Sequence, residues 1–224
     1  HSFFFFDLVK YSCLVSPFLS ITISIIFFLF IINSIRLYIK IFLYFNNIMV
    51  RQLCIIGFGV SGISCLSWAK KLNIDAIVFE SNSTFGGCWH SASYDSAKLQ
   101  TPKESYSFSD FKMPETYSKY PNRDEVLEYF KNYIEFHNLN KWVYYNHKII
   151  KAFFNKTIEL WEIEVQNTKT LKNISIKSKY LAICSGFYNK PNIINLPNSD
   201  NFNGTIIHSK EFSKTGKYDY SLFK

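Results

Sequence analysis

This sequence lacks metal-type cysteine pairs. Its five cysteines, Cys13, Cys54, Cys65, Cys88 and Cys184, are widely spaced, odd in number and include no C-x-x-C. That argues against a disulfide framework and against any metal site, and it fits a reducing compartment. Basic clusters are also missing. The formal net charge is +8, but the lysines are scattered, so a solvated basic surface is expected and no nucleic-acid partner. Glycine is scarce: there are 8 in 224 residues, and five of them fall between positions 57 and 87. Apolar residues are not scarce. At 48% hydrophobic, with 23 Phe and 15 Tyr, the chain can bury a core, and its length allows one large or two modest domains.

The glycines gather in Gln52–Gly62, QLCIIGFGVSG. Gln52–Ile56 is an apolar run suited to a buried strand. Gly57, Gly59 and Gly62 follow with G-x-G-x-x-G spacing. The next residues, ISCLSWAKKL, predict a helix with Ile63, Leu66, Trp68, Ala69 and Leu72 as its apolar positions. In a strand–turn–helix unit the first glycine makes the tight turn. The second lets backbone approach a pyrophosphate, and the third lets helix pack on strand. The candidate cofactor cradle is therefore Gly57, Phe58, Gly59, Val60, Ser61 and Gly62, with the positive helix end facing the phosphates. A second apolar run, Ile74–Phe79, ends in Glu80, 18 residues after Gly62. A carboxylate there can accept hydrogen bonds from both ribose hydroxyls of an adenosine.

Further on, SNSTFGGCWH brings Gly86, Gly87 and Trp89, read as close backbone approach and a ring that can stack on a flat ligand. LQTPKESYSFSDFKMP, residues 99–114, is polar and aromatic and reads as a long functional loop. Asn122 or Asp124 caps a helix running to Leu139, with His137 near its end as a capping or surface group. WVYYNHKIIKAFF, ELWEIEVQ and ISIKSKYLAICSG predict a β-meander whose last strand returns to the nucleotide-binding sheet. Ser185 and Gly186 then end that strand beside the cofactor. Four N-x-[ST] sequons, at Asn82, Asn155, Asn173 and Asn203, are what an asparagine-rich chain produces by chance.

Residues 11–35 carry no charge for 25 residues, long enough to span a bilayer, with Lys10 before and Arg36, Lys40 and Arg51 after. If this run is an anchor, for example in the endoplasmic reticulum, the rest faces the cytosol. The competing readings are an uncleaved signal-like segment and translated non-coding sequence, since Met49 precedes the first strand by two residues. The expected organisation is a hydrophobic segment over 1–48 and a dinucleotide-binding domain over 49–224. The sequence starts at His1 and stops in mid-pattern at Lys224, so a fragment is expected.

Taken together these motifs resemble the flavin-containing monooxygenase family, particularly its plant branch. Gly57-x-Gly59-x-x-Gly62 is similar to its FAD fingerprint, and Gly86-Gly87-Cys88-Trp89 to its G-G-x-W motif. Leu99–Lys103 and Phe108–Phe111 are similar to the plant-branch stretch that follows. Phe202-x-Gly204-x-x-x-His208-x-x-x-Phe212 matches its F-x-G-x-x-x-H-x-x-x-[FY] motif. The resemblance implies an α/β, Rossmann-like, doubly wound parallel FAD-binding sheet with an inserted antiparallel β-meander. It also implies FAD, reduction by NADPH, and transfer of one oxygen atom from O2 to a small substrate at nitrogen, sulfur or a carbonyl-adjacent carbon. Gln100, with Thr101 beside it, stands where animal and yeast members have an asparagine that positions flavin and oxygen. His208 is the tempting base, but an anchoring histidine is the stronger reading. No second glycine fingerprint occurs in 213–224. The alternatives are an inactive nucleotide-binding remnant and a simple NAD-dependent dehydrogenase. The latter leaves Gly86-Gly87-x-Trp89 and Phe202–Phe212 unexplained.

Overall fold

The computed structural model describes residues 25–35, 37, 50–187, 190–209 and 211–212. The chain divides into two units, 1–49 and 50–224. In the first, residues 25–35 are helical. The remainder of the uncharged 11–35 run lies outside the described residues. Among the described residues no helix is long and apolar enough to cross a membrane, so the expected transmembrane helix is not carried by the structure.

The second unit is built on a six-stranded sheet. Its strands are β1 (Val50–Ile56), β2 (Ala76–Phe79), β3 (Val143–Tyr144), β4 (His147–Asn155), β5 (Leu160–Asn167) and β6 (Asn173–Ile183), in the order β3-β2-β1-β6-β5-β4. The first four in that order are parallel, and β6-β5-β4 is the antiparallel meander. Its last strand does return to β1, with Leu53 opposite Tyr180 and Ile56 opposite Ile183.

Strand alternation splits the core in two. Leu53 and Ile55 of β1 and Ala76 and Val78 of β2 face helices α1 (Val60–Lys71) and α2 (Arg123–Phe136). Cys54, Ile77 and Phe79, the residues between, face Ile163 and Val165 of the meander. Both faces of β1 and β2 are buried, which is why these strands read as continuous apolar runs.

Four details depart from the sequence expectation. On α1 the buried residues are Gly62, Ile63, Leu66, Ser67 and Ala69, while Trp68 and Leu72 are exposed. Trp68 instead lies beneath the Lys71 ammonium, 4.5 Å from the ring centroid. Helix α2 ends at Phe136 rather than Leu139, because Asn138 turns left-handed (φ 52°) and starts a short 3-10 turn. The run from Trp142 to Phe154 is two strands, since Asn146 is also left-handed (φ 55°); β3 joins β2 and β4 joins β5. Strand β6 ends at Ile183, one residue before Cys184.

Asn122 caps α2 in a reciprocal box. Its side chain accepts from Glu125 N–H at 3.0 Å, and the Glu125 carboxylate accepts from Asn122 N–H at 2.8 Å. The 99–117 loop is fastened to this helix by aromatic contacts and closed on itself by one buried cation. Phe108 stacks on Tyr133 with ring centroids 4.0 Å apart. Lys103, 7% exposed, donates to the carbonyls of Pro114, Glu115 and Tyr117 at 3.0, 3.0 and 3.1 Å. Three acceptors replace the water the ammonium gives up.

Asp110 joins both helices to this loop. It pairs with Lys71 of α1, accepts from Tyr133 Oη of α2 at 3.1 Å and lies 2.9 Å from His137 Nε2. Burial pushes the Asp110 carboxyl up, and hydrogen bonds, chiefly from Lys71, more than offset this and hold it below the usual carboxylate range. A folded-state value below the unfolded one gives stability that is present above pH ~4 and lost as pH falls through the folded value. Urea unfolding should therefore find Asp110→Asn less stable than the parent at pH 7, with the gap closing towards pH 3. A gap that is constant with pH would show that the carboxylate charge is not what holds the loop.

Candidate cofactor site

A cleft of about 680 Å3 opens at the carboxyl ends of β1, β2 and β6. The strand ends of an open parallel sheet are where such folds bind nucleotides. One wall is the turn after β1 with Gly57, Gly59, Val60 and Ser61, and another is the Gly86–Trp89 loop. Glu80 and Asn82 close the end of β2, His147 and Lys148 come from the start of β4, and Cys184–Phe187 follow β6.

The three glycines of the turn have separate reasons to be glycine. Gly57 is left-handed (φ 91°), and a Cβ there would lie 2.7 Å from the Cys184 carbonyl oxygen. A Cβ on Gly62 would lie 2.0 Å from the Gly57 carbonyl oxygen, so α1 could not seat on the turn. Gly59 differs. Its φ is −79°, so no left-handed turn is needed, and a Cβ would meet only Gly87 Cα at 3.5 Å. Gly59 is therefore dispensable to the fold. Gly87 (φ 56°) faces it, and a Cβ on Gly87 would lie 3.1 Å from Gly59 Cα. The two glycine loops, 28 residues apart in sequence, thus meet backbone to backbone at the mouth of α1.

That end of α1 has no side-chain cap and no acidic residue in its first turn. Its free N–H groups and positive dipole end are left for an anion. Lys148 and Lys190 add positive charge to the cleft lining. The donor set at the mouth of α1, beside the Gly59–Gly87 contact, fits an anionic group, and a nucleotide cofactor such as FAD is consistent with it.

Glu80 is 4% exposed, and its carboxylate is already engaged. Oε2 accepts from Phe58 N–H at 2.7 Å, and Oε1 accepts from Asn82 N–H at 2.8 Å and Asn82 Nδ2–H at 2.9 Å. Its backbone is tied to Tyr144 and His147. Glu80 thus pins the glycine turn to the end of β2, and Oε2 keeps capacity for one further donor from the cleft. Burial, and then the Glu80 charge, push the Tyr145 phenol up to about 12. Trp89 lines the cleft and is fixed by an Nε1–H donated to Tyr106 Oη at 2.8 Å.

Among the residues expected from sequence, Gly57, Gly59, Val60, Ser61, Glu80, Gly87, Trp89, Ser185 and Gly186 all line the cleft. Phe58 and Gly62 are buried beneath it. Gln100 and Thr101 are exposed and stand outside the lining. Phe202 and Gly204 pack on each other, and Phe212 meets the Tyr94 ring at 5.7 Å, so that motif also lies outside the lining. Asn82, two residues past Glu80, lines the cleft beside it, as its place in the sequence implies. Sequence reasoning missed His147 and Lys148, and His147 carried no signal beyond its strand pattern.

An amide at position 80 can accept on one side only, so its NH2 must face Phe58 N–H or Asn82 N–H. Glu80→Gln should therefore lower stability by about 1–3 kcal/mol even without ligand. Chemical denaturation checks this; an unchanged midpoint would mean that the carboxylate does not pin the turn.

Comparison with known proteins agrees with this geometry. The profile of the flavin-binding monooxygenase-like family matches residues 50–221. The putative flavin-containing monooxygenase 2 of Arabidopsis thaliana is 27% identical over 195 residues, covering 77% of this chain and 42% of that protein. N-oxide-forming dimethylaniline monooxygenase 2 of Oryctolagus cuniculus is 27% identical over 178 residues, covering 73% and 33%. The chain therefore spans less than half the length of these relatives. Among solved structures, S-allyl-L-cysteine S-oxygenase from Allium sativum superposes with a TM-score of 0.65 at 20% identity, over 74% of this chain and 43% of that one. Cyclohexanone monooxygenase bound to epsilon-caprolactone gives 0.61 at 24% identity, over 72% and 32%. These likenesses establish the α/β Rossmann-like fold. With its glycine turn, second glycine loop and sheet matched over residues 50–221, the chain belongs to the flavin-binding monooxygenase-like family.

Proposed function

We propose that this chain carries the FAD-binding part of an NADPH-dependent monooxygenase acting on a small nucleophilic molecule. The observation that supports this most directly is the meeting of Gly59 and Gly87 at the uncapped end of α1, where Gly59 is glycine for no reason internal to the fold. The pyrophosphate of FAD lies against this contact at the cleft side, its charge met by the first N–H groups of α1. The adenosine ribose reaches the remaining acceptor site of Glu80 Oε2. Trp89, held by Tyr106, bounds the cleft on the far side of the Gly86–Gly87 turn.

FAD, once reduced by NADPH, supplies the oxygen-activating chemistry. The chain supplies binding, orientation and exclusion of water. Reaction with O2 followed by oxygen transfer to a soft nitrogen or sulfur, or next to a carbonyl, is the activity of the whole protein. Solved relatives are named as an S-oxygenase of S-allyl-L-cysteine and as a monooxygenase of cyclohexanone, two of those three classes. Gln100 and Thr101 reach the flavin only if the loop around Pro102 is repositioned when cofactor or further chain is present.

Two glycine variants separate fold from ligand. Gly59→Ala should fold, because its added Cβ makes an ordinary contact and its backbone is unstrained. Its FAD affinity, measured by flavin fluorescence quenching, should fall at least ~10-fold, about 1.4 kcal/mol. Gly62→Ala should instead lose thermal stability with or without FAD, since its Cβ overlaps the Gly57 carbonyl. Parent affinity in a folded Gly59→Ala protein would remove the pyrophosphate from beside Gly59. NADPH oxidation by the complete protein, with amines, thioethers and ketones in turn, then assigns the substrate class.

A further inference from the structure

We propose that Asn203 is a site of spontaneous deamidation, its side-chain amide attacked by the Gly204 backbone nitrogen and replaced by an acid, with water as the co-reactant. The inference rests on the Asn203–Gly204 step itself and does not depend on what the cleft binds.

Asn203 is the one asparagine in the sequence that precedes a glycine. Both residues are exposed and lie outside helix and strand. They follow a short 3-10 turn, Ser199–Asn201, which closes as the Phe202 N–H donates to the Ser199 carbonyl at 3.1 Å. Beyond Phe202 the fastening stops. Among the described residues none hydrogen-bonds the Asn203 side chain or the Gly204 N–H. The attacking nitrogen and the carbon it attacks are therefore both accessible, and glycine lets the backbone rotate to bring them together. The Phe202 ring lies where a side chain at 204 would be, its Cζ 2.4 Å from the Cβ position. This packing keeps position 204 a glycine, and so preserves the reactive step.

Other asparagines lack one condition or another. The N–H after Asn73 donates to the Ala69 carbonyl at 2.8 Å, and the N–H after Asn198 donates to the Leu196 carbonyl at 3.2 Å. The N–H after Asn201 is the one that closes the 3-10 turn. The side-chain amides of Asn82, Asn155 and Asn173 donate to Glu80, Glu162 and Glu164 at 2.9, 3.3 and 3.0 Å. Asn192 and Asn195 precede Ile193 and Leu196, whose side chains crowd the nitrogen.

The chemistry needs no oxidant. The Gly204 nitrogen gives up its proton and attacks Asn203 Cγ. A C–N bond forms, the Cγ–Nδ2 bond breaks, and ammonia leaves with the proton. The resulting succinimide joins the Gly204 nitrogen to both Cγ and the main-chain carbonyl carbon of Asn203. Water then opens one of those two C–N bonds. Opening at Cγ gives aspartate; opening at the main-chain carbon gives isoaspartate, in which the chain runs through Cγ. One water is consumed and one ammonia released. Asparagine is thermolabile for this kind of reason. Either product places a negative charge beside Phe202. Isoaspartate also lengthens the main chain by one carbon, which alters the spacing that sets the Phe202 ring on Gly204.

The test incubates the whole folded chain in mildly alkaline buffer, with a synthetic peptide of residues 199–209 alongside. Each is digested in acid and mapped by mass spectrometry, and circular dichroism confirms that the chain stays folded. The expected result is loss of the Asn203 amide from the folded chain at a rate similar to that in the peptide. The product has NH exchanged for O and separates by chromatography into aspartate and isoaspartate forms. Asn203→Gln should abolish it, and Asn82, Asn155 and Asn173 should remain amides. The wild-type map decides the matter even if the glutamine variant fails to fold. An Asn203 that stays an amide in the folded chain while the peptide converts would overturn the proposal, as would faster conversion at another asparagine.

Discussion

The structure depends on one close approach. Helix α1 can leave β1 at once only because Gly62 presents no side chain to the Gly57 carbonyl, where a Cβ would sit at 2.0 Å. That contact sets the direction of α1, and so the place where its free N–H groups point. Everything that borders the cleft is positioned against this turn. Glu80 reaches it through Phe58 N–H, Gly87 abuts it at Gly59, and the Cys184 carbonyl lies against Gly57. The burial of β1 and β2 on both faces then makes the turn rigid, because the strands feeding it cannot shift without opening two cores.

The polar groups follow the same economy. Buried or half-buried charges are met by several partners each. Lys103 has three carbonyls, Asp110 has Lys71, Tyr133 and His137, and Glu80 has Phe58 and Asn82. No buried side-chain nitrogen or oxygen among the described residues lacks a hydrogen bond. Such arrangements are specific because removing one member strands the others. They tie the 99–117 loop to α1 and α2, and the end of β2 to the glycine turn.

Edges are treated differently. Strand β4 ends the sheet, and its outward side chains mix Ile150, Phe153 and Phe154 with Lys148 and Lys151. Charged residues and the bulge between Ile149 and Lys151 discourage pairing with another chain.

The sequence by itself determined the strand–turn–helix unit, the meander and the family, because each is written in local spacing. Three glycines at 57, 59 and 62, an acid after the second strand and G-G-x-W need no distant partner to be recognised. It also marked the two glycine loops, Glu80, Trp89 and Ser185–Gly186 on the cleft's border. Only the tertiary structure decided which glycines the fold requires, since that turns on what lies where a Cβ would be. It alone showed that Glu80 is already bound by Phe58 and Asn82, that His147 and Lys148 arrive from β4, and that Gln100 and Thr101 stay outside. The close approach of Gly59 and Gly87 joins residues 28 apart. Long-range proximity of this kind is set by how the sheet and helices pack, and no spacing within the chain encodes it.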